Sequence, residues 1–355
     1  MNIMRSRLFS FTFLGPIFHS PQQGIVKMTD MKALVLENYG SPFRLTKIPR
    51  PAPAQGEVLV GIKASGVNPL DTKIRAGAAD HARHPLPAIL GIDLAGIVQE
   101  VGPGVAGFRR GDEVYGMTGG VGGIQGSLAE YAVVDARLLA LKPSHLSMRD
   151  AAALPLIFIT AWEGLVDRAA IKAGQTVLVL GGGGGVGHVA VQIAKARGAM
   201  VYAVDGTSKA DYIASIGATP IDRAETVEDY VARYTAGKGF DIVYDTVGGA
   251  GLDAAFKAVK RFGHVVSCLG WGSHSLAPLS FKSASYSGVF TLLPLLSGEG
   301  REHYGDIMRE ATKLAEAGRI MPRLDARRFD LAHAVEAHAL IENRQASGKL
   351  VIDID

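Results

Sequence analysis

The chain has 355 residues, 48% of them hydrophobic, with a net charge of +3 and a single cysteine. Such length and apolar content suit a globular protein of two domains with a sizeable core. No long basic stretch accompanies the small charge, so nucleic acid is not an expected partner. One cysteine excludes an intrachain disulfide framework and any Cys-rich zinc site, and no apolar run reaches the length of a membrane span.

Residues 1–30 read differently from the rest. Asp30 is the first acidic residue, and Arg5, Arg7 and Lys27 precede it. The run Leu8-Phe9-Ser10-Phe11-Thr12-Phe13-Leu14 is apolar and aromatic, but no A-x-A site follows it. The segment is read as an unstructured extension, with Met28 or Met31 as a natural start. Its acid-poor, Arg- and Ser-containing composition leaves organellar targeting open; otherwise a cytoplasmic protein is expected.

From Met31 the patterns are β-rich. Strands are expected at 33–36, 57–62, 97–101 and 113–115, separated by the prolines 49, 51 and 53 and by the turns Gly102-Pro103-Gly104 and Gly111-Asp112. Short strands with many turns indicate a barrel-like domain. After Ala151 the pattern alternates. Helices are expected at 160–169, 188–197, 208–216, 226–236 and 250–260, and strands at 176–180, 200–204, 241–244 and 263–268. That alternation indicates a parallel sheet with helices on both faces. A long helix from about residue 300 to Ala317 and a strand at 349–352 complete the chain.

The most informative stretch is Gly181-Gly182-Gly183-Gly184-Gly185-Val186-Gly187. It follows the apolar run Thr176–Leu180 and opens the helical pattern Val189–Lys195. Read as G-x-G-x-x-G, the fingerprint is Gly182, Gly184 and Gly187. The first glycine permits a tight turn, the second lets backbone approach a pyrophosphate, and the third lets helix and strand pack closely. With Gly185 and Val186 these residues are the expected phosphate cradle, at a helix N-terminus whose free N–H groups attract anions.

Several further segments together resemble the medium-chain dehydrogenase/reductase superfamily, in its zinc-independent quinone oxidoreductase and enone reductase branch. They are 64–71 (Ala-Ser-Gly-Val-Asn-Pro-Leu-Asp), 91–96, 126–131, Leu154-Pro155 through Thr160-Ala161-Trp162, the glycine run, and 240–248. The resemblance runs from Met31 to the C-terminus. It implies an α/β protein, with a GroES-like β-barrel domain plus a Rossmann doubly wound parallel sheet. The barrel domain would comprise 31–155 and 296–355, the Rossmann domain 156–295, and the active site would lie in the cleft between them. Members are often homodimers or homotetramers, and a homodimer is the expectation here.

In zinc-dependent relatives a Cys stands at the position of Asn68 and a His at that of Ile92. Neither Asn nor Ile is a zinc ligand, so no zinc is expected. Without metal, oxidation of a simple alcohol lacks the ion that stabilises an alkoxide. Hydride transfer to a quinone or to the activated C=C of an α,β-unsaturated carbonyl needs only hydrogen-bond donors for the developing oxyanion.

The resemblance places Asn68 near the nicotinamide ribose and the substrate carbonyl, although Asn before Pro69 is also an ordinary turn residue. Asp71 is read as orienting that loop. Lys73 stands where quinone reductases commonly carry Tyr, with Ala79 where they carry a second Tyr. The plant-type alkenal/enone reductases resemble Asn-Pro-x-Asp-x-Lys, as here. An ammonium there would stabilise an enolate and could deliver a proton; a solvated surface lysine is the alternative. Thr160 is expected to begin a helix and touch the cofactor, with a simple N-cap as the alternative. Leu269, Gly270 and Phe290 are expected to border the nicotinamide, with Trp271 in the substrate pocket or the core. Cys268 is read as a buried strand residue. Asp205, about 20 residues past the glycines, suits the ribose 2′-OH of NAD. Ser208 and Lys209 resemble the pattern that holds the 2′-phosphate of NADPH. NADPH is therefore the expected cofactor, with NADH possible in principle. A zinc-dependent or NAD-linked alcohol dehydrogenase and a nucleotide-binding protein with little catalysis are the competing readings.

Overall fold

The structure is a computed structural model and describes residues 29–355; the readings for residues 1–28 lie outside the described residues. Eight strands form its first part: β1 (Asp30–Leu36), β2 (Arg44–Pro49), β3 (Glu57–Gly66), β4 (Ala88–Ile89), β5 (Asp93–Val101), β6 (Glu113–Met117), β7 (Tyr131–Asp135) and β8 (Leu139–Leu141). Six follow in the middle: β9 (Thr176–Leu180), β10 (Met200–Asp205), β11 (Thr219–Asp222), β12 (Phe240–Asp245), β13 (Val259–Ser267) and β14 (Ser285–Gly288). The last two are β15 (Phe329–Asp330) and β16 (Val351–Asp353).

The early strands and the C-terminal pair build the GroES-like unit. Strand β3 is its spine, antiparallel to β5, β7 and β16. It bulges against β5 between Leu59 and Val60 and again between Ile62 and Ala64, and such bulges bend a sheet towards closure. A smaller antiparallel sheet of β2, β1 and β4 packs alongside. The chain leaves this unit after β8 and returns for β15 and β16, with β16 pairing onto β3.

The middle strands form one parallel sheet in the order β11-β10-β9-β12-β13-β14. Side chains alternate across it as the two-residue period requires. Val177 and Val179 of β9, with Ile242 and Tyr244 of β12, join the large core shared with the GroES-like unit. Leu178, Leu180, Val243 and Val265 point the other way, into a separate core with Tyr230, Phe240 and Phe256. A strand buried on both faces must be apolar throughout, which is why β9 reads as an unbroken run.

Some boundaries differ from those read off the sequence. The helix expected at 160–169 starts at Pro155, runs to Trp162 and continues as a π-helical stretch over Glu163–Arg168. Proline suits the first helical position, where its missing N–H has no partner to lose. Strand β13 begins at Val259, four residues early, and carries Phe262 at φ +60. Strands β2 and β14 and the helix Ala334–Glu342 were not expected; β14 lies at the edge of its sheet and carries polar or aromatic residues, Ser285-Tyr286-Ser287-Gly288.

Candidate active site

The site begins where β9 ends. Gly181 takes φ +78, and its N–H and that of Gly182 both donate to Val204 O. Gly184 N–H donates back to Gly181 O at 2.9 Å, and the helix Gly185–Ala196 starts with Gly184 as its N-cap. No side chain caps that helix, so its first-turn N–H groups are available to an anion. A Cβ on Gly187 would stand 2.0 Å from Gly181 O, and one on Gly182 would stand 2.4 Å from Ala203 Cβ. Gly187 therefore permits the close packing assigned to it. Gly182 corrects its expectation: Gly181 makes the turn, and Gly182 lets the loop lie against β10.

At the end of β10, Asp205 is turned onto the protein. Its Oδ2 accepts from Gly183 N–H at 2.9 Å and lies 3.3 Å from Lys209 Nζ, and its Oδ1 accepts from Gly206 N–H. The carboxylate thus braces the glycine loop and is paired to an ammonium. Ser208 is exposed beside it, and the Arg223 guanidinium lies about 3.6 to 3.8 Å from where a Gly206 Cβ would be. Lys209, Ser208 and Arg223 together bring two cations and a hydroxyl to this end, and Arg223 was not singled out from the sequence.

The opposite end is built on β3, β5 and the C-terminal segment. Pro69 at the first position starts the helix Pro69–Arg75, and Asn68 is its N-cap. Asp71 Oδ2 accepts from Asn68 N–H at 2.8 Å, which holds the turn as expected of an orienting residue. The Asn68 side chain is fully buried. Its Nδ2 donates to Asp93 Oδ2 at 2.9 Å, and its Oδ1 accepts from Lys349 Nζ. Lys349 also donates to Val67 O at 2.9 Å, and Asp93 Oδ1 accepts from Leu156 N–H. Burial pushes the Asp71 carboxyl up to about 7 and that of Asp93 up to about 6, and pulls the Lys349 ammonium down. Sequence reading missed Lys349, which appeared only as the start of a final strand.

Between the two ends Thr160 lies in the second turn of its helix, so it neither begins the helix nor caps it. Its Oγ1 donates to Leu156 O at 2.6 Å and is 2.9 Å from Thr291 Oγ1. Tyr304 donates to Thr291 O and Tyr244 to Thr160 O, each at 2.7 Å, fixing both threonines from behind. His188 is buried; its Nδ1 lies 2.8 Å from Gly184 O and its Nε2 accepts from Arg323 N–H at 3.2 Å. Burial lowers it to about 4, so it is the neutral form that links the glycine loop to the C-terminal segment. Cys268, expected as a buried strand residue, lies just past the end of β13, half-buried on the cleft wall, and burial pushes its thiol up to about 12. Trp271 is 56% exposed, and its ring centroid lies 5.4 Å from that of His81 and 6.2 Å from that of Phe290.

One cleft of about 890 Å³ joins these features. Asn68, Lys73, Thr160, Gly184, Gly185, Val186, Asp205, Ser208, Lys209, Leu269 and Phe290 all line it. Gly182, Gly187 and Gly270 do not; a Cβ on Gly270 would meet the Tyr286 hydroxyl at 2.1 Å, so that glycine serves packing beneath the cleft. The lining also includes Arg323 and Arg344, which carried no signal in the sequence. A dinucleotide fits the donor set: an uncapped helix end and glycine turn for its pyrophosphate and a basic cluster for its adenosine end. A zinc ion does not. Ile92 is wholly apolar, the Lys349 ammonium already occupies the polar pocket at Asn68, and no three potential ligand side chains come together among the described residues.

Comparisons with known proteins agree with this geometry. Residues 54–144 match a family model described as an alcohol dehydrogenase GroES-like domain, and residues 216–352 one described as a zinc-binding dehydrogenase. The chain is 36% identical over 336 residues to the 2-methylene-furan-3-one reductase of Solanum lycopersicum, covering 91% of this chain and 79% of that one. It is 35% identical over 335 residues to the chloroplastic NADPH-dependent alkenal/one oxidoreductase of Arabidopsis thaliana, with 91% and 79% covered. A crystal structure of an alcohol dehydrogenase superfamily protein from Novosphingobium aromaticivorans matches with a TM-score of 0.91 at 60% identity, covering 92% of this chain and 100% of that one. The chain therefore belongs to the medium-chain dehydrogenase/reductase family, in its quinone and enone reductase branch.

Proposed function

We propose that the protein is a metal-free, NADPH-dependent reductase of the activated C=C of α,β-unsaturated carbonyls, with quinones as the second acceptor class. One observation carries the reading. A single cleft has a dinucleotide-type glycine turn along one side and, at its far end, a fixed amide, with the Lys349 ammonium on its oxygen, beside the exposed ammonium of Lys73. The relatives named for alkenal/one and furanone reduction support the same class.

Bound NADPH supplies a hydride to the β-carbon, and negative charge then develops on the carbonyl oxygen. The chain's own groups deal with that charge. The Asn68 amide, buried between Asp93 and Lys349, forms a fixed polar wall at this end of the cleft. Lys73 is exposed on the cleft wall, and no ion pair holds it among the described residues. Its ammonium stabilises the enolate and protonates the α-carbon, then recovers a proton from water. Trp271, Phe290 and His81 form an aromatic wall suited to a flat conjugated acceptor. At the other end Lys209, Ser208 and Arg223 favour a 2′-phosphate over a free hydroxyl, because the Asp205 carboxylate is already bonded to the glycine loop. A homodimer is proposed on the exposed Phe262, Phe281 and Tyr286 near the β13–β14 edge.

The test is the position of the label after reaction with NADPH deuterated at the transferred hydrogen. Reduction of a small enone should leave deuterium on the β-carbon and the carbonyl intact. Deuterium on the carbonyl carbon would instead make the protein an alcohol dehydrogenase.

A further inference from the structure

We propose that His274 is a positioning residue for the acceptor end of the cleft: by donating from both ring nitrogens at once it ties the loop that carries Trp271 to the helix Ala250–Ala258, and so holds the indole as one wall of the acceptor pocket. The role in acceptor binding rests on the reductase reading above; the clasp itself does not.

Trp271 needs a fastening. It follows β13 on a loop, with Gly270 before it and Gly272, at φ +106, after it. Two flanking glycines leave the backbone on either side free to turn. No backbone N–H or C=O of residues 270–273 bonds to other backbone among the described residues. The aromatic partners of the indole, His81 and Phe290, line the same cleft. His81 comes from the first part of the chain and Phe290 from just past β14, so the indole bridges the two units only while its loop is closed.

His274 closes it. Its Nδ1 lies 2.9 Å from Asp253 Oδ1, and its Nε2 lies 3.3 Å from Trp271 O. A carboxylate and a carbonyl only accept, so both ring nitrogens must carry hydrogen, and the imidazolium alone provides that. The helix on the other side is a firm anchor. Its Leu252, Ala255 and Phe256 are buried in the second core, and the Phe256 ring meets the imidazole edge-on at 6.3 Å. The bonds to Asp253 and to the Trp271 carbonyl hold His274 above the usual imidazole value, and Asp245 at the end of β12 adds to the effect. Tyr286 of β14, which stands against Phe256, is raised by burial and stays neutral. His81, against the indole ring, is the other group near the loop that titrates close to neutrality. The sign follows: the clasp is closed while His274 is protonated and opens as pH rises through its raised value, when one of the two bonds loses its hydrogen.

Tryptophan fluorescence of the substrate-free full chain reads the clasp first. The chain has two tryptophans and Trp162 is buried, so acrylamide quenching reports Trp271. Quenching should rise about twofold from about pH 6 to about pH 9, and in His274→Ala it should be high throughout. The KM for a small enone should rise about three- to fivefold over the same span, the size expected of an ion pair with a solvent-facing carboxylate, while kcat and the Kd of NADPH stay within about twofold. His274→Ala should show the raised KM already at the acid end. Asp253→Asn should match it, and the double variant should go no further. His81 remains in all three variants, so a pH dependence that survives in them belongs to His81 and overturns the proposal. Flat quenching and flat KM in the wild type, a loss in kcat or NADPH affinity instead, or additive effects of the two substitutions would overturn it as well. A wild type inactive on every enone and quinone would sink the reductase reading, while quenching would still decide the clasp.

Discussion

At the scale of single residues, charge placement separates the two ends of the cleft. Lys209 faces Asp205 at 3.3 Å, half-exposed, and keeps N–H donors for another anion. A phosphate bound by such a group gains a charge-assisted hydrogen bond of about 1.5–3 kcal/mol. Lys209→Ala should therefore raise the KM for NADPH about 10- to 100-fold and leave that for NADH within about threefold; steady-state assays with both cofactors read it directly. Asn68, Lys73, Ser208 and Lys209 were singled out in the sequence through family resemblance and residue chemistry, and all four line the cleft. Lys349 and Arg323 were not. Each is brought to the cleft by the return of the chain to β3, a contact between positions 67–68 and 349 that no local pattern reveals. Asn68 was legible as a residue but not as a bonded one: nothing local says that both ends of its amide are taken.

Among the elements, the strand–turn–helix of β9 and Gly185–Ala196 carries the cofactor reading. Its glycines are there for different reasons, and Gly187 is the least replaceable. A Cβ would stand 2.0 Å from a backbone oxygen, a contact that no side-chain rotation relieves. Gly187→Ala should move the helix start away from Gly181 and weaken NADPH binding more than about tenfold, at a cost typical of overpacking, about 1–3 kcal/mol; cofactor titration and thermal melts check both parts. The helix Pro155–Trp162 shows where element reading fails. Leu156-Ile157-Phe158-Ile159 has no polar face because most of its side chains are buried, so no helical period marks its start. Thr160 was consequently placed at the beginning of a helix whose second turn it occupies.

For the whole molecule, two cores and one cleft follow from the alternation of buried residues along β9 and β12. The parallel sheet was legible because strands buried on both faces are apolar runs with helices between them. Edge strand β14 and the short β2 were not, since their side chains are exposed and need no pattern. The fold also buries a histidine on the helix Ala334–Glu342, one turn before the cleft-lining Ile341. His338 packs edge-on against Phe43 with ring centroids 5.6 Å apart, and its Nδ1 has no partner among the described residues. Burial lowers it from 6.5 to about 4, with Arg75 adding to the effect. The unfolded chain then binds the proton more readily, so the contribution of His338 is complete above about pH 6.5 and is lost as pH falls towards 4. That loss is on the order of 3 kcal/mol at most. His338→Phe should flatten the fall in unfolding free energy between pH 7 and 4 relative to the wild type; parallel slopes would show that the imidazole is solvated.

The central claim is metal-free reduction of an activated alkene in this cleft. Oxidation of NADPH by the purified full chain, followed by its absorbance with a small enone and excess EDTA, tests it most directly. Saturable turnover that EDTA does not diminish is the expected result. Turnover that EDTA abolishes and zinc restores would contradict the account.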